Sequence, residues 1–551
     1  MTKTRLIAAL CAPTLLAACA TMAPTPAEPE ISQATLKDVT RTLASDAFEG
    51  RGPGTPGEEK SVAYIIERFK AAGLQPGNKG QWTQDVPTVI IEAQNESPLT
   101  VKAAGQTLNF AYATDYVAGS YRVAPKTVLA DAPLVFVGYG VNAPELGWND
   151  YAGIDMKGKI AVILINDPDF EMNDESGPFK GRRMTYYGRW RYKFEEAARQ
   201  GAAGALIVHE TFPAAYGWQV VQSSWTGKQK YVASANDGMD QTIANGWMQK
   251  PVAEAIMKAA GQDFAALSAA AKQKGFKPVP LGATASLSFD NAIERATSRN
   301  VVGIQPGKTR PDEYVLYSAH WDHLGRCKPD ASGDDICNGA VDNATGVAGL
   351  VAIAEANRKA GPAARSQVYL AVTLEESGLL GSEFYAANPI YPLARTVGGV
   401  NMDALKPGSA ARDVTVVGGD KSDLSDVLAG VASAMSMAVV QEEHPERGYY
   451  YRSDHFSMAK RGVPMFYVAR GTDWIVGGTE AGRAAEKAYT DVDYHQPSDE
   501  FNEAWDWSGP AQDVTLYYRL GRALASGTAW PNWYANDEFR LIRDKSRAGA
   551  K

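Results

Sequence analysis

The stretch 366–382, "SQVYLAVTLEESGLLGS", joins an apolar run to two adjacent acids, Glu375 and Glu376, and then to a glycine-bracketed turn. Residues 366–374 are rich in β-branched and aromatic side chains and read as a buried strand. Adjacent carboxylates at the end of such a strand repel each other and are costly to bury, so the pair needs a task. The surrounding texture repeats: "RNVVGIQPG", "EYVLYSAHWDHLG", a helix over 343–359, the quoted strand, a helix over 379–387, then "TVGGVNMDAL". Strands alternating with helices predict an α/β fold with a mostly parallel twisted sheet flanked by helices. In such sheets the ligand crevice lies at the carboxyl ends of the strands.

Further upstream, "TPGEEKSVAYIIERFKAAGL" (55–74) predicts an amphipathic helix with acids in its first turn and Gly73 as its stop. The preceding "LASDAFEGRGPGT" reads as a loop. From about residue 130, "PLVFVGYG", "GKIAVILIND" and "AGALIVHE" predict short strands, with "YKFEEAARQGA" a helix between the last two. This βαβ-like unit is expected to have a small core of its own, and an Ala-rich helical run over 251–275 leads back out of it. Most aromatics and arginines in "RRMTYYGRWRYKF" read as packing and solvated face; the other reading has them overhanging the site.

Bulk properties narrow the function. The 551 residues suffice for two or three domains. A formal charge of −8 argues against nucleic acid as a partner, because phosphate binding needs basic surface. The N-terminal "MTKTRLIAALCAPTLLAACATMAPTPAEPE" has Lys3 and Arg5, a short apolar stretch and small residues before Cys19, the pattern of an export signal. "LAAC" (16–19) resembles a bacterial lipobox with Cys19 as the lipidated residue; the alternative is a plain signal cleaved nearby. Residues 20–34 read as a flexible tether. Cys327 and Cys337 flank the polar "KPDASGDDI", and a short disulfide-closed loop fits an oxidising compartment.

Four strand-like runs finish in metal-competent residues: "VLYSAHWDH" in His320, Asp322 and His323, "CNGAVDNATG" with Asp342, "LAVTLEE" in Glu375 and Glu376, and "VGGVNMD" in Asp403. "YTDVDYHQPSDE" adds Tyr494, His495 and Asp499. Two histidines with three carboxylates make a mixed N/O set suited to zinc and, less selectively, to other divalent ions. Five ligands are too many for one open tetrahedral site and enough for two ions sharing a bridging carboxylate. If one of the paired glutamates is a ligand, its neighbour is free to act as general base.

His320-x-Asp322, "GAVDNATG", "EESGLLGS", "NMD" and "YHQPSDE" resemble the di-zinc aminopeptidase family, whose relatives include glutamate carboxypeptidase and glutaminyl cyclase. The 129–284 stretch is similar to the protease-associated domain inserted in some members. The resemblance implies a zinc exopeptidase fold over 35–128 and 285–530, with the insert between and a tail at 531–551. It implies two Zn²⁺ per chain: His320 and Asp403 on one, Glu376 and His495 on the other, Asp342 bridging. Glu375 would be the base and Tyr494 a hydrogen-bond donor to the oxyanion. Asp322 would orient His320, with Asp499 a further support. His323 falls outside this ligand set and reads as structural or wall-lining; Asp454 and His455 are candidates for the substrate pocket.

The expected activity is removal of N-terminal residues from peptides, with contact to a membrane only through a lipid anchor at Cys19 in the cell envelope. Three alternatives stand beside it. A carboxypeptidase would need cations such as Arg452, Arg461 or Arg470 for a terminal carboxylate. A glutaminyl cyclase would use one zinc. A binding protein on the same scaffold would hydrolyse nothing.

Overall fold

The computed structural model describes residues 28–419 and 421–549; Cys19 and most of the expected signal and tether lie outside them. Among the described residues no helix is long and apolar enough to cross a membrane.

The first helices are α1 (Gln33–Leu43) and α2 (Pro56–Ala71). The Thr55 hydroxyl accepts from Gly57 N at 3.1 Å, Pro56 opens α2, and the chain leaves it through Gly73 at φ +81°. Gly73 agrees with the stop read in the sequence, and the Thr55 cap adds to it. The sheet strands follow as β1 (Thr83–Gln94), β2 (Lys126–Phe136), β3 (Ile160–Leu164), β4 (Gly204–His209), β5 (Ala244–Gln249), β6 (Val279–Gln305), β7 (Arg310–His320), β8 (Arg365–Val372), β9 (Thr396–Asn401) and β10 (Met465–Phe466). Their order is β10-β9-β7-β8-β6-β2-β3-β4-β5, with β1 beside β6. The strands β10, β9, β7 and β8 are mutually parallel, as are β2 to β5, while β6 runs antiparallel to both groups. Helices flank this sheet, giving the mixed α/β fold that the alternation implies. All eight residues of β8 are buried, as expected for a strand covered on both faces.

β6 is the element the sequence hides. Its 27 residues pair with β2 in their first half and with β8 in their last, so one continuous strand runs from the inserted stretch into the sheet that carries the site. Its early part alternates buried and exposed positions using Ala, Ser and Thr, a weak apolar signal that only pairing on both edges makes into a strand.

One apolar cluster joins Val135, Ile163, Phe194, Ile207 and Trp247 to Val117. A second joins Phe136, Val162 and Tyr186 to Tyr451, Phe456, Trp533 and Phe539. The 129–284 stretch therefore shares its cores with residues before it and with the segments after residue 450, beyond the small core of its own that its sequence implies. The last segment is packed too: Trp533 is 2% and Arg543 1% exposed.

Candidate metal centre

The parallel register sets His320 opposite Val372 and Ser318 opposite Asn401, so the carboxyl ends of β7, β8 and β9 stand side by side. Beyond them the chain turns sharply, with Leu374 at φ 57° and Ala404 at φ 52°. These turns present Glu375, Glu376 and Asp403 next to His320. Asp342 enters from the loop before α3 (Thr345–Ala360).

His320 Nε2 lies 3.2 Å from Asp342 Oδ1 and 3.3 Å from Asp403 Oδ1. His495 Nε2 lies 3.4 Å from Asp342 Oδ2 and 3.1 Å from Glu376 Oε2. Asp342 thus stands between two imidazole–carboxylate sets and gives one oxygen to each. Glu375 has a carboxylate oxygen within 4.8 Å of donor atoms of His320 and Glu376. Its carboxylate takes part in no hydrogen bond among the described residues, while its N–H donates to Asp322 Oδ1 at 3.1 Å.

Four of the five ligand candidates have a support behind them. Ser453 Oγ donates to Asp403 Oδ2 at 2.6 Å and accepts from Asn401 Nδ2 at 2.7 Å, and Asn401 Oδ1 in turn accepts from Ser318 Oγ at 2.6 Å. Asp499 accepts the N–H groups of Val341 and Asp342 at 2.9 and 3.1 Å, which fixes the loop carrying Asp342. His323 Nδ1 is 2.7 Å from Glu376 Oε1, leaving Oε2 for the His495 side. The sequence reading of His323 as structural or wall-lining overlooked this contact, although its place beside the His-x-Asp motif was a signal. Asp322 supports His320 by an unexpected atom: its main-chain oxygen lies 3.1 Å from Nδ1, and its carboxylate is 3.9 Å away. Replacing Ser453 with Ala should lower metal affinity by about 10–100-fold, the usual cost of losing a partner behind a ligand; isothermal titration with Zn²⁺ that matches the wild type would refute this.

Arg51 is the residue that sequence reasoning missed. Its guanidinium is fully buried and donates to the carbonyls of Leu43, Trp321, Asn338 and Gly339 at 2.6–2.8 Å. It ties the His320–His323 segment to the loop leading to Asp342. The chain reaches it through Glu49, Gly50 and Arg51, all at positive φ. A Cβ on Gly50 would fall 2.5 Å from Gly325 O and 2.6 Å from Cys337 O. Gly325 pairs with Cys337 at the base of the loop closed by the Cys327–Cys337 disulfide.

Charges in the centre are arranged against burial. Burial would neutralise His320, but Glu375, Asp403 and Asp342 outweigh it and hold the pKa well above the usual imidazole value. His495 is likewise pushed up to about 10, against burial, by Asp342 and Glu376. Burial, then Glu376, Asp403 and Asp454, push Glu375 well above the carboxylate range despite His320. Glu376 goes the other way, to about 2, because contacts from His323 and His495 overcome burial and Asp342. Neighbouring acids are thus driven apart, the pattern expected where one carboxylate binds cations and the other exchanges a proton.

Tyr494 is 47% exposed and stacks on His495 with ring centroids 3.9 Å apart. Desolvation first, and then Asp342 and the two glutamates, raise its hydroxyl pKa. Asp454 is 1% exposed, and its pKa is raised to about 7, chiefly by burial, against the nearby Ser382 hydroxyl and His320. His455 is fully buried, stacked on Tyr467 at 4.2 Å and edge-on to Tyr450, with its pKa lowered to about 3 by burial. That is the environment of a neutral packing histidine.

No Lys or Arg pairs with Asp342, Glu375, Glu376 or Asp403 among the described residues. Such a carboxylate set, faced only by imidazoles, fits divalent cations: the charge needs compensation and the donors are the right kind.

The chain thus gathers two imidazoles and several carboxylates near the carboxyl ends of its parallel strands. Residues 300–518 match the model of Peptidase family M28. Over 138 residues the chain is 32% identical to aminopeptidase NAALADL1 of Mus musculus and 31% identical to that of Rattus norvegicus. Each match covers 23% of this chain and 17% of the relative, so the chain spans under a fifth of their length. An aminopeptidase from Aneurinibacillus sp. strain AM-1 superposes with a TM-score of 0.46 at 19% identity, covering 91% of this chain and 96% of its own. A zinc aminopeptidase from Bacillus subtilis gives 0.41 at 18% identity, covering 90% and 95%.

Proposed function

We propose that the protein is a zinc-dependent exopeptidase that removes N-terminal residues from peptides. The observation that carries this reading is Asp342, whose two oxygens face two separate imidazole–carboxylate sets, beside a glutamate, Glu375, whose carboxylate takes part in no hydrogen bond among the described residues. His320 and Asp403 would hold one ion, Glu376 and His495 a second, with Asp342 between them. When bound, the ions supply Lewis acidity that makes water a better nucleophile and polarises the scissile carbonyl. Glu375 takes the proton of the attacking water and returns it to the leaving amine. Tyr494 donates a hydrogen bond to the developing oxyanion.

Peptides are then the partners, and the acidic charge gives nucleic acid no role. The signal-like N-terminus supports export to the cell envelope, with Cys19 as the lipid anchor on the periplasmic side. Residues 129–284 form the inserted, protease-associated-like unit between the two parts of the peptidase domain. Against the carboxypeptidase alternative, Arg470 already donates to the carbonyls of Lys406 and Gly408.

The test is mass spectrometry of a peptide panel, half with acetylated N-termini, incubated with zinc-loaded protein. Shortening of free peptides from the N-terminus alone supports the reading. Trimming from the other end, indifferent to acetylation, gives the carboxypeptidase; ammonia loss from N-terminal Gln gives the cyclase; no reaction leaves a binding protein. Chelation should abolish the shortening and added Zn²⁺ should restore it; activity that survives complete metal removal would refute the metal's role.

A further inference from the structure

The turn carrying Glu375 and Glu376 is held from outside by the inserted stretch. That turn is locally weak: Leu374, Gly378 and Leu379 all have positive φ, and its apex Gly378 is exposed. Its own bonds run from Gly378 N and Leu379 N to Glu375 O at 2.8 and 2.9 Å, with Leu380 N to Leu374 O and Gly381 N to Thr373 O, each at 3.0 Å, closing its base and leaving the apex carbonyl of Gly378 to an outside donor. Arg191, in the insert helix Trp190–Arg199, adds what the turn lacks. Its Nη1 donates to Gly378 O at 2.8 Å and its Nη2 to Glu383 Oε2 at 2.7 Å. One planar guanidinium thereby joins the apex of the turn to the helix that follows it, fixing the angle between them.

The same insert helix grips the other side of the centre. Glu195 receives Lys460 Nζ at 2.5 Å and the Tyr186 hydroxyl at 2.5 Å, and the Tyr186 ring packs on Phe456 at 5.0 Å. Lys460 and Phe456 belong to the segment that begins at Ser453, the residue bonded to Asp403. Two carboxylate-bearing parts of the centre are therefore referenced to one helix of the insert.

We propose that Arg191 is a positioning residue for the Glu375–Glu376 turn, which makes the inserted unit a structural part of the active site. The proposal rests on the peptidase reading for its kinetic readout. The test compares Arg191→Met, Arg191→Lys and Glu383→Gln in the full chain. Arg191→Met should lower kcat about 10–100-fold, the scale of an ångström-level misplacement of a catalytic group, with KM changed by less than about threefold. Metal content and Tm should stay at wild-type values, Arg191→Lys should recover part of the loss, and Glu383→Gln should fall between. Independently of turnover, the absorption spectrum of the Co²⁺-substituted Arg191→Met protein should shift as Glu376 moves. Wild-type kcat with an unchanged spectrum in Arg191→Met would overturn the proposal. So would a loss that follows Tm and metal content and is not recovered by Lys, since that is ordinary structural damage. If the wild-type protein cleaves no peptide, the peptidase reading fails, and the Co²⁺ spectrum alone decides for or against Arg191.

Discussion

Glu375→Gln should lose about 10²–10⁴-fold in kcat, the contribution typical of a general base, while metal content stays at the wild-type value. The amide matches the carboxylate in shape, and Glu375 N–H still donates to Asp322 Oδ1, so the turn has no reason to move. Among the described residues the Glu375 side chain takes part in no hydrogen bond or ion pair that the substitution would break, which separates it from Glu376, whose oxygens face His323 and His495. Metal analysis alongside steady-state kinetics checks this. Turnover near wild type would remove Glu375 from the mechanism, whereas lost metal would make it a ligand and shift the base elsewhere.

Arg51→Met should cost about 4 kcal/mol or more in stability, since it strands several buried carbonyls at about 1–3 kcal/mol each. The damage should be local to function as well, because two of those carbonyls, of Asn338 and Gly339, lie on the loop that leads to Asp342. A third belongs to Trp321, next to His320. Arg51 also carries its charge near Asp499, Asp342, Asp322 and Glu376, although burial, the larger influence, lowers its pKa to about 10. Arg51→Lys keeps the charge but cannot span the same set of carbonyls from one planar group, so it should rescue little. Guanidinium denaturation and Zn²⁺ titration read both effects. A stability loss under about 1 kcal/mol with unchanged metal affinity would show the carbonyls to be satisfied otherwise.

The elements around the centre were legible because each has a strong local signature. The buried run of 365–372 ends where its composition ends, and the acids in the first turn and Gly73 after the helix mark α2. His320, Asp322, His323, Asp342, Glu375, Glu376 and Asp403 stood out as metal-competent residues closing apolar runs or opening a helix, and the family resemblance singled out His320, Asp342, Glu376, Asp403 and His495 as the ligand set. The supports were harder. Ser453, Asn401 and Ser318 form a chain between neighbouring elements, and nothing in their local sequence distinguishes them from other small polar residues. Arg51 looked like a loop cation, since its partners are backbone carbonyls with no sequence signal.

By itself, then, the sequence determined the alternating α/β layout, the helix ends and the identity of the metal-competent residues, because these follow from local periodicity, capping and side-chain chemistry. Only the tertiary structure decided which oxygen of Asp342 faces which histidine, that His323 holds Glu376, and that Arg51 binds two distant loops. It also decided that β6 is one strand and that the insert shares a core with the segments after residue 450. The physical reason is the same throughout: these are contacts between segments far apart in the chain, set by register and packing that neither partner's local sequence encodes.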